Sequence, residues 1–250
     1  MTYRTLGIVL RRRDVREADR LYTIYTREHG KIEAIARGGR KMASKLSPHL
    51  ETFATVDLLI ARGRLWDHVA GAECALRFGE ISSRYLPTVA ACYGLEAIDV
   101  FTKHGARDLG LWNLLLEYLR ALNTIPGGSS AGILFGITRA YSCQLLARLG
   151  VAPELGRCHN CKTTDSPSWE LASAGILCYG CSGIKMNEPS MPLGKEALLL
   201  LKAYCQEPLD KFLSPLEDGG GNKAAWGAVD FLLRTQLGAN LKSEKFLSVN

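Results

Sequence analysis

The sequence has no run of about 18 consecutive apolar residues, the least that a bilayer-spanning helix needs. Its first residues, MTYRTLGIVLRRRD, lack the basic, then apolar, then small-residue order of an export signal, so the expected compartment is the cytoplasm, with no membrane partner. Nucleotide-binding loops are missing too. GGGNKAAW at 219–226 has glycine and lysine without the spacing or hydroxyl of a phosphate loop, and ARGGRK is no strand–GxGxxG–helix unit. His29, His49, His68, His104 and His159 stand apart from one another, and no motif joins them to a nucleophile. There is no internal repeat and no low-complexity tail. These absences leave a non-enzymatic binding protein as the expectation.

The cationic excess is unevenly placed. Residues 1–85 hold 16 Lys and Arg against 10 Asp and Glu, whereas 86–250 hold 15 of each, so the whole net charge of +6 lies in the first third. A one-sided excess of this kind suits a polyanionic partner.

The same third has the grammar of strands. TLGIVLR alternates Leu6, Ile8 and Leu10 against Gly7, Val9 and Arg11; RLYTIYT is β-branched and aromatic; KIEAIAR sets Ile32, Ala34 and Ala36 on one face. TFATVDLLI and RLWDHVAGAECAL flank a turn at ARGR. Five short strands predict a small closed barrel, since closure removes open edges; an OB-fold fits, and an SH3-like barrel is the other option. Beyond about residue 80 the period becomes helical, with Leu111, Leu114, Leu115, Tyr118, Leu119 and Leu122 on one stripe. IPGGSS breaks it, with Ser129 or Ser130 placed to cap a helix running through Ile137, Tyr141 and Leu145 to a stop at GVAP. GKEALLLLKAYCQ and AAWGAVDFLLRTQL predict two more helices. The expected class is α+β: a barrel over 1–80, then a helical domain over 81–250 with an insertion at about 155–185.

That insertion holds CHNC at 158–161 and CYGC at 178–181. Two Cys-x-x-Cys turns can aim Cys158, Cys161, Cys178 and Cys181 at one point, a shell that suits zinc, with iron of the rubredoxin type as the alternative. Four thiolates leave no coordination position open, so the expected role is structural. A zinc deaminase would need a His/Cys-x-Glu partner, and an NAD-dependent deacylase a glycine-rich nucleotide unit; neither is present. Cys74, Cys92, Cys143 and Cys205 lie singly among apolar residues and read as small core hydrophobes.

RRRDVR ends the first strand and ARGGRKMASK the third. In a small barrel these ends can converge Arg11, Arg12, Arg13, Arg37, Arg40, Lys41 and Lys45. Gly38 and Gly39 would free the backbone for positive φ and close approach, and guanidinium forks suit phosphate oxygens. Tyr22, Tyr25 and Trp66 are either stacking faces for bases or core. Neutralising about five phosphates of a single strand would give a slope of roughly −3.5 in log affinity against log salt.

ADRLYTIYTREHGKIEAIARGGRKMASKL, the junction LARLGVAPELGRCHNC and the second pair CYGC resemble the bacterial RecO family of DNA repair and recombination proteins, in the same order and over nearly the whole chain. The resemblance implies an N-terminal OB-fold on a helical domain with an inserted zinc knuckle. It implies binding of single- and double-stranded DNA, strand annealing, and mediator work in the RecF pathway that helps load RecA. RecR and the C-terminal tail of single-stranded DNA-binding protein are the implied partners, in a cytoplasmic, nucleoid-associated setting. Family DNA contacts map onto Arg37, then Arg40 and Lys41. The competing readings are an RNA- or ribosome-associated OB protein and a scaffold whose basic face is merely solvated.

Overall fold

A computed structural model describes residues 1–15, 17–127, 131–182, 189–214, 220–238 and 241–247. Strands β1 (Thr2–Asp14), β2 (Arg20–Thr26), β3 (Gly30–Ala36), β4 (Ala54–Ala61) and β5 (Asp67–Arg77) close into a barrel of order β1-β2-β3-β5-β4. Every pairing is antiparallel except β3 with β5, and β1 closes the ring by pairing with both β2 and β4. This is the OB arrangement, and it decides against the SH3-like alternative.

Val9, Tyr22, Ile24, Ala34, Val56, Leu58 and Ile60 fill the interior. On β1 the inward face is therefore the one bearing Gly7 and Val9, not Leu6, Ile8 and Leu10. Gly7 is there because a Cβ would lie 2.6 Å from Ile24 Cγ2 and 2.7 Å from Leu58 Cδ1. The opposite face is buried as well, with Ile8 fully enclosed, because a helix packs against β1. An irregularity between Val9 and Arg11 resets the alternation, so Arg12 shares the register of inward-facing Tyr22 while Arg11 and Arg13 face out.

After the barrel come α1 (Gly79–Ser82), α2 (Tyr85–Phe101) and α3 (Leu109–Thr124). The predicted stripe of α3 is buried as expected. Asp108 caps that helix, its carboxylate accepting the N–H of Gly110 at 2.7 Å and of Leu111 at 3.0 Å. α2 escaped the periodicity analysis because its buried face is largely small: Ala90, Ala91, Gly94 and Ala97. Asp99 of α2 ties it to the barrel, lying 3.1 Å from Arg11 and 3.5 Å from buried Lys31.

The chain divides into two compact units, Met1–Thr124 with Leu241–Asn250, and Ile125–Asn240. In the second, α4 (Ala131–Arg148) is apolar on nearly every side and forms the centre. It is followed by β6 (Trp169–Ala172), β7 (Gly175–Cys178), α5 (Tyr179–Ser182), β8 (Ser190–Leu193), α6 (Lys195–Gln206) and α7 (Gly220–Leu237). Arg139 of α4 pairs with Asp230 of α7 at 2.9 Å. The expected caps Ser129 and Ser130 lie outside the described residues, whereas Gly150 ends the α4 segment at a φ of 77°. Of the four single cysteines, Cys143 is buried, Cys74 and Cys205 are half-buried, and Cys92 is exposed, which corrects its reading as core. No helix among the described residues is long and apolar enough to cross a membrane.

Candidate nucleic-acid interface and metal centre

The β1–β2 turn and the segment after β3 meet at one end of the barrel. The Arg40 N–H donates to the Ala18 carbonyl at 2.9 Å, and the Gly38 N–H donates to the Asp19 carboxylate at 2.8 Å. Gly38 adopts a φ of 66°, as a tight reversal here demands; Gly39 does not, but it is buried where a Cβ would sit 3.1 Å from the Ala36 carbonyl. The Ser47 hydroxyl donates to the Gly39 carbonyl and fixes the far side of the loop. Asp14 joins the two segments electrostatically, 3.1 Å from Arg20 and 3.3 Å from Arg40.

Of the seven cations predicted to converge, this stitching brings Arg37, Arg40, Lys41 and Lys45 onto one loop beside the end of β1, and all four are exposed. The three β1 arginines do not act as a block. Arg11 turns to Asp99, Arg13 to Glu33 at 3.9 Å, and Arg12, on the other face, to Glu51 at 3.6 Å. Strand alternation enforces that split. Arg40 is also paired, so among the described residues Arg37, Lys41 and Lys45 are the predicted cations without an ion pair. Arg37 further lines a groove of about 360 Å³ with Ile35, Leu46, His68 and Val69.

Tyr22 and Tyr25 are fully buried and belong to the core. Burial pushes the Tyr25 phenol up to about 12, and its hydroxyl donates to the Asp108 carbonyl at 3.3 Å. Trp66 is half-buried and is the one proposed stacking residue that keeps an open face.

The paired cysteines come together as their spacing predicts. The Sγ atoms of Cys158, Cys161, Cys178 and Cys181 all lie within 4.8 Å of one another, with Cys161 and Cys178 at 3.6 Å. A tetrahedral thiolate site with metal–sulfur bonds of about 2.3 Å has sulfur–sulfur edges of about 3.8 Å, so the cluster could hold a metal ion with small shifts. The first pair sits on a tight turn in which the Lys162 N–H donates to the Cys158 carbonyl at 3.0 Å and Lys162 takes a φ of 64°. The second pair spans the end of β7 and α5. A small sheet of order β7-β6-β8 supports them, a feature the sequence analysis missed because each strand has only four residues.

Two thiols show how the site manages charge. Burial opposes ionisation of Cys158, yet backbone N–H donors from Cys178, Cys161 and Asn160 bring it down to about 6. Cys181 receives an N–H from Asn160, which favours its thiolate, but the crowding of Cys178, Cys161 and Cys158 pushes it up to about 12. Four thiolates this close need a cation to be charged together.

Family models match both parts of the chain: recombination protein O N terminal over residues 1–76, and recombination protein O C terminal over 83–245. The chain is 34% identical over 212 residues to the DNA repair protein RecO of Roseiflexus sp. (strain RS-1), covering 83% of this chain and 71% of that one. It is 38% identical over 177 residues to that of Bifidobacterium longum (strain DJO10A), covering 70% and 72%. With that of Desulforamulus reducens (strain ATCC BAA-1160 / DSM 100696 / MI-1) it shares 32% identity over 244 residues, 86% of this chain and 93% of the other.

Proposed function

Because the chain belongs to the recombination protein O family, a family of DNA repair proteins, we propose that it binds single- and double-stranded DNA, anneals complementary strands and helps load RecA in the RecF pathway. The observation that carries this reading is the cationic loop at the barrel end, with Arg37, Lys41 and Lys45 exposed and free of ion pairs among the described residues. Phosphate contacts of this kind supply affinity without sequence preference. They screen the repulsion between two polyanions, and base pairing then does the recognition. The protein supplies charge and geometry and needs no nucleotide hydrolysis. Arg40 joins the contact by exchanging Asp14 for a phosphate, an exchange favoured by the exposure of both side chains. Of the β1 arginines, Arg12 lies on the strand face of Asp14, which holds Arg40, while Arg11 and Arg13 lie on the opposite face and contribute through the field at longer range. RecR and the tail of single-stranded DNA-binding protein are its partners, and RecF and RecA its functional neighbours.

Cys158, Cys161, Cys178 and Cys181 would hold a structural zinc ion. When bound, it neutralises the thiolates and fixes the turn against the β6–β8 sheet; with four sulfur ligands it has no site for substrate. Annealing of complementary strands, followed without ATP at several salt concentrations, tests the function. Annealing that falls as salt rises is expected, with DNA strands competing at least as well as RNA of equal length. Salt-insensitive annealing, or a clear preference for RNA, would refute it.

A further inference from the structure

A second groove lies at the other end of the barrel strands. It has a volume of about 510 Å³ and is lined by residues of four distant segments: Tyr3 at the start of β1, His29 in the β2–β3 turn, Arg62 and Gly63 between β4 and β5, and Arg107 between α2 and α3. The last segment is held in place by the barrel. The Gly105 N–H donates to the Lys31 carbonyl at 2.9 Å, and Gly30 lets the Ala106 carbonyl approach where a Cβ would be 2.3 Å from its oxygen.

The groove has the chemistry of a nucleotide strand site. Tyr3 is fixed by its hydroxyl, which donates to Asp67 at 3.0 Å, and its ring lies 4.2 Å from that of His29. The Arg62 guanidinium sits 5.5 Å from the Tyr3 ring centroid and, among the described residues, neither it nor Arg107 has an ion pair. A guanidinium held over a ring rather than by a carboxylate keeps its donor edge for another anion. Glu28 and Asp67 also line the groove, but Glu28 accepts the Thr5 hydroxyl at 2.6 Å and Asp67 is engaged by Tyr3 and by the Gly63 N–H at 3.2 Å. Ile32 of β3 also lines this groove, and Arg37 stands five residues further along the chain, about 16 Å in strand length.

We propose that this groove is a second phosphodiester-binding site, so that one barrel holds two strands at once. Arg62 and Arg107 contact phosphates, and the Tyr3–His29 pair offers a face to a base. The inference rests on the annealing reading and gives it a physical basis: strands held at two sites of one barrel are brought to a shared high local concentration.

The test uses the full chain, labelled oligothymidylate and two variants. After a first strand has saturated the protein, wild type is expected to capture a second at low salt. Arg62→Ala/Arg107→Ala should keep the first strand, weaken capture of the second by about tenfold, and flatten the salt slope by about 1.4, the share of two phosphate contacts. Arg62→Gln/Arg107→Gln, which keeps most of the stem, serves if the alanine pair is unstable. Unchanged second-strand capture in these variants, with DNA binding lost in Arg37→Ala/Lys41→Ala/Lys45→Ala, would overturn the second site and leave the proposed function standing. If neither set alters DNA binding, both fall. An acidic peptide that occupies the groove without competition from oligothymidylate would assign it to a protein partner and overturn the inference.

Discussion

Arg37→Ala/Lys41→Ala/Lys45→Ala removes the three loop cations that have no ion pair among the described residues, and its effect follows from counterion release. Each phosphate contact to a single strand contributes about 0.7 to the slope of log affinity against log salt. Three lost contacts should therefore flatten the slope by about 2.1, out of the roughly 3.5 that five contacts would give. Between about 50 and 200 mM salt, those three contacts alone account for about a twentyfold fall in wild-type affinity that the variant should not show. All three side chains are exposed, so the thermal midpoint should hardly move.

Fluorescence anisotropy of a labelled oligothymidylate, titrated at four or more salt concentrations, reads the slope directly. Arg11→Ala is the control, since Arg11 lies on the strand face opposite Asp14 and the loop and pairs with Asp99 at 3.1 Å. It should weaken binding slightly with little change of slope. A triple variant whose affinity drops while its slope stays parallel to wild type would show that the loop acts through structure, not phosphate contact. Unchanged affinity at moderate salt would remove the loop from the interface.

Cys158→Ser should lose bound metal, measured by mass spectrometry under native conditions, and lower the melting temperature while keeping the wild-type salt slope for DNA; lost annealing in a folded variant would make the metal module functional. Gly30→Ala should destabilise the barrel by at least about 2 kcal/mol in denaturant titration, because the position has a φ of 65° and its Cβ would meet the Ala106 backbone. Glu96 is partly buried, which alone would raise its pKa, but hydrogen bonds from Ser243 and Lys242 lower it. Its hold on the 241–247 segment should thus be complete above the ordinary glutamate value of about 4.3 and lost as the pH falls through the lower folded value. Amide-exchange protection of that segment should drop in acid, and Glu96→Gln should reduce it at neutral pH.

Local signals were legible in the sequence wherever neighbours along the chain decide the outcome. Five strands followed from alternation and turns, the α3 stripe from its leucines, and the sulfur cluster from two Cys-x-x-Cys spacings. Alternation separated the two faces of β1 without saying which is inward; Gly7 faces the interior because Ile24 and Leu58 leave no room for a side chain there, a fact that only the closed barrel reveals. Opposite placement of Arg12 from Arg11 and Arg13 was implicit in the period of a strand, had β1 been extended to Asp14. The partners Asp99 and Glu51 were not, since they are distant in sequence from the arginines they meet. The same holds for the groove at Arg62, whose residues come from four segments with no shared motif.

In the proposed annealing, the ion pairs around the loop bear on how product is released. Glu33 and Asp14 reduce the positive field at Arg13 and Arg40, and each exposed pair is worth at most about 1 kcal/mol. Phosphate can displace such carboxylates, but they return when a strand leaves, so every contact made through a paired arginine starts at a discount. A loop of unpaired cations alone would hold duplex at least as firmly as single strands, because duplex has the denser phosphate charge. With part of its charge self-compensated, the barrel end can gather strands and still let go once base pairing and solution counterions hold the duplex together without it. Reversibility here is a property of the acids beside the arginines as much as of the arginines themselves.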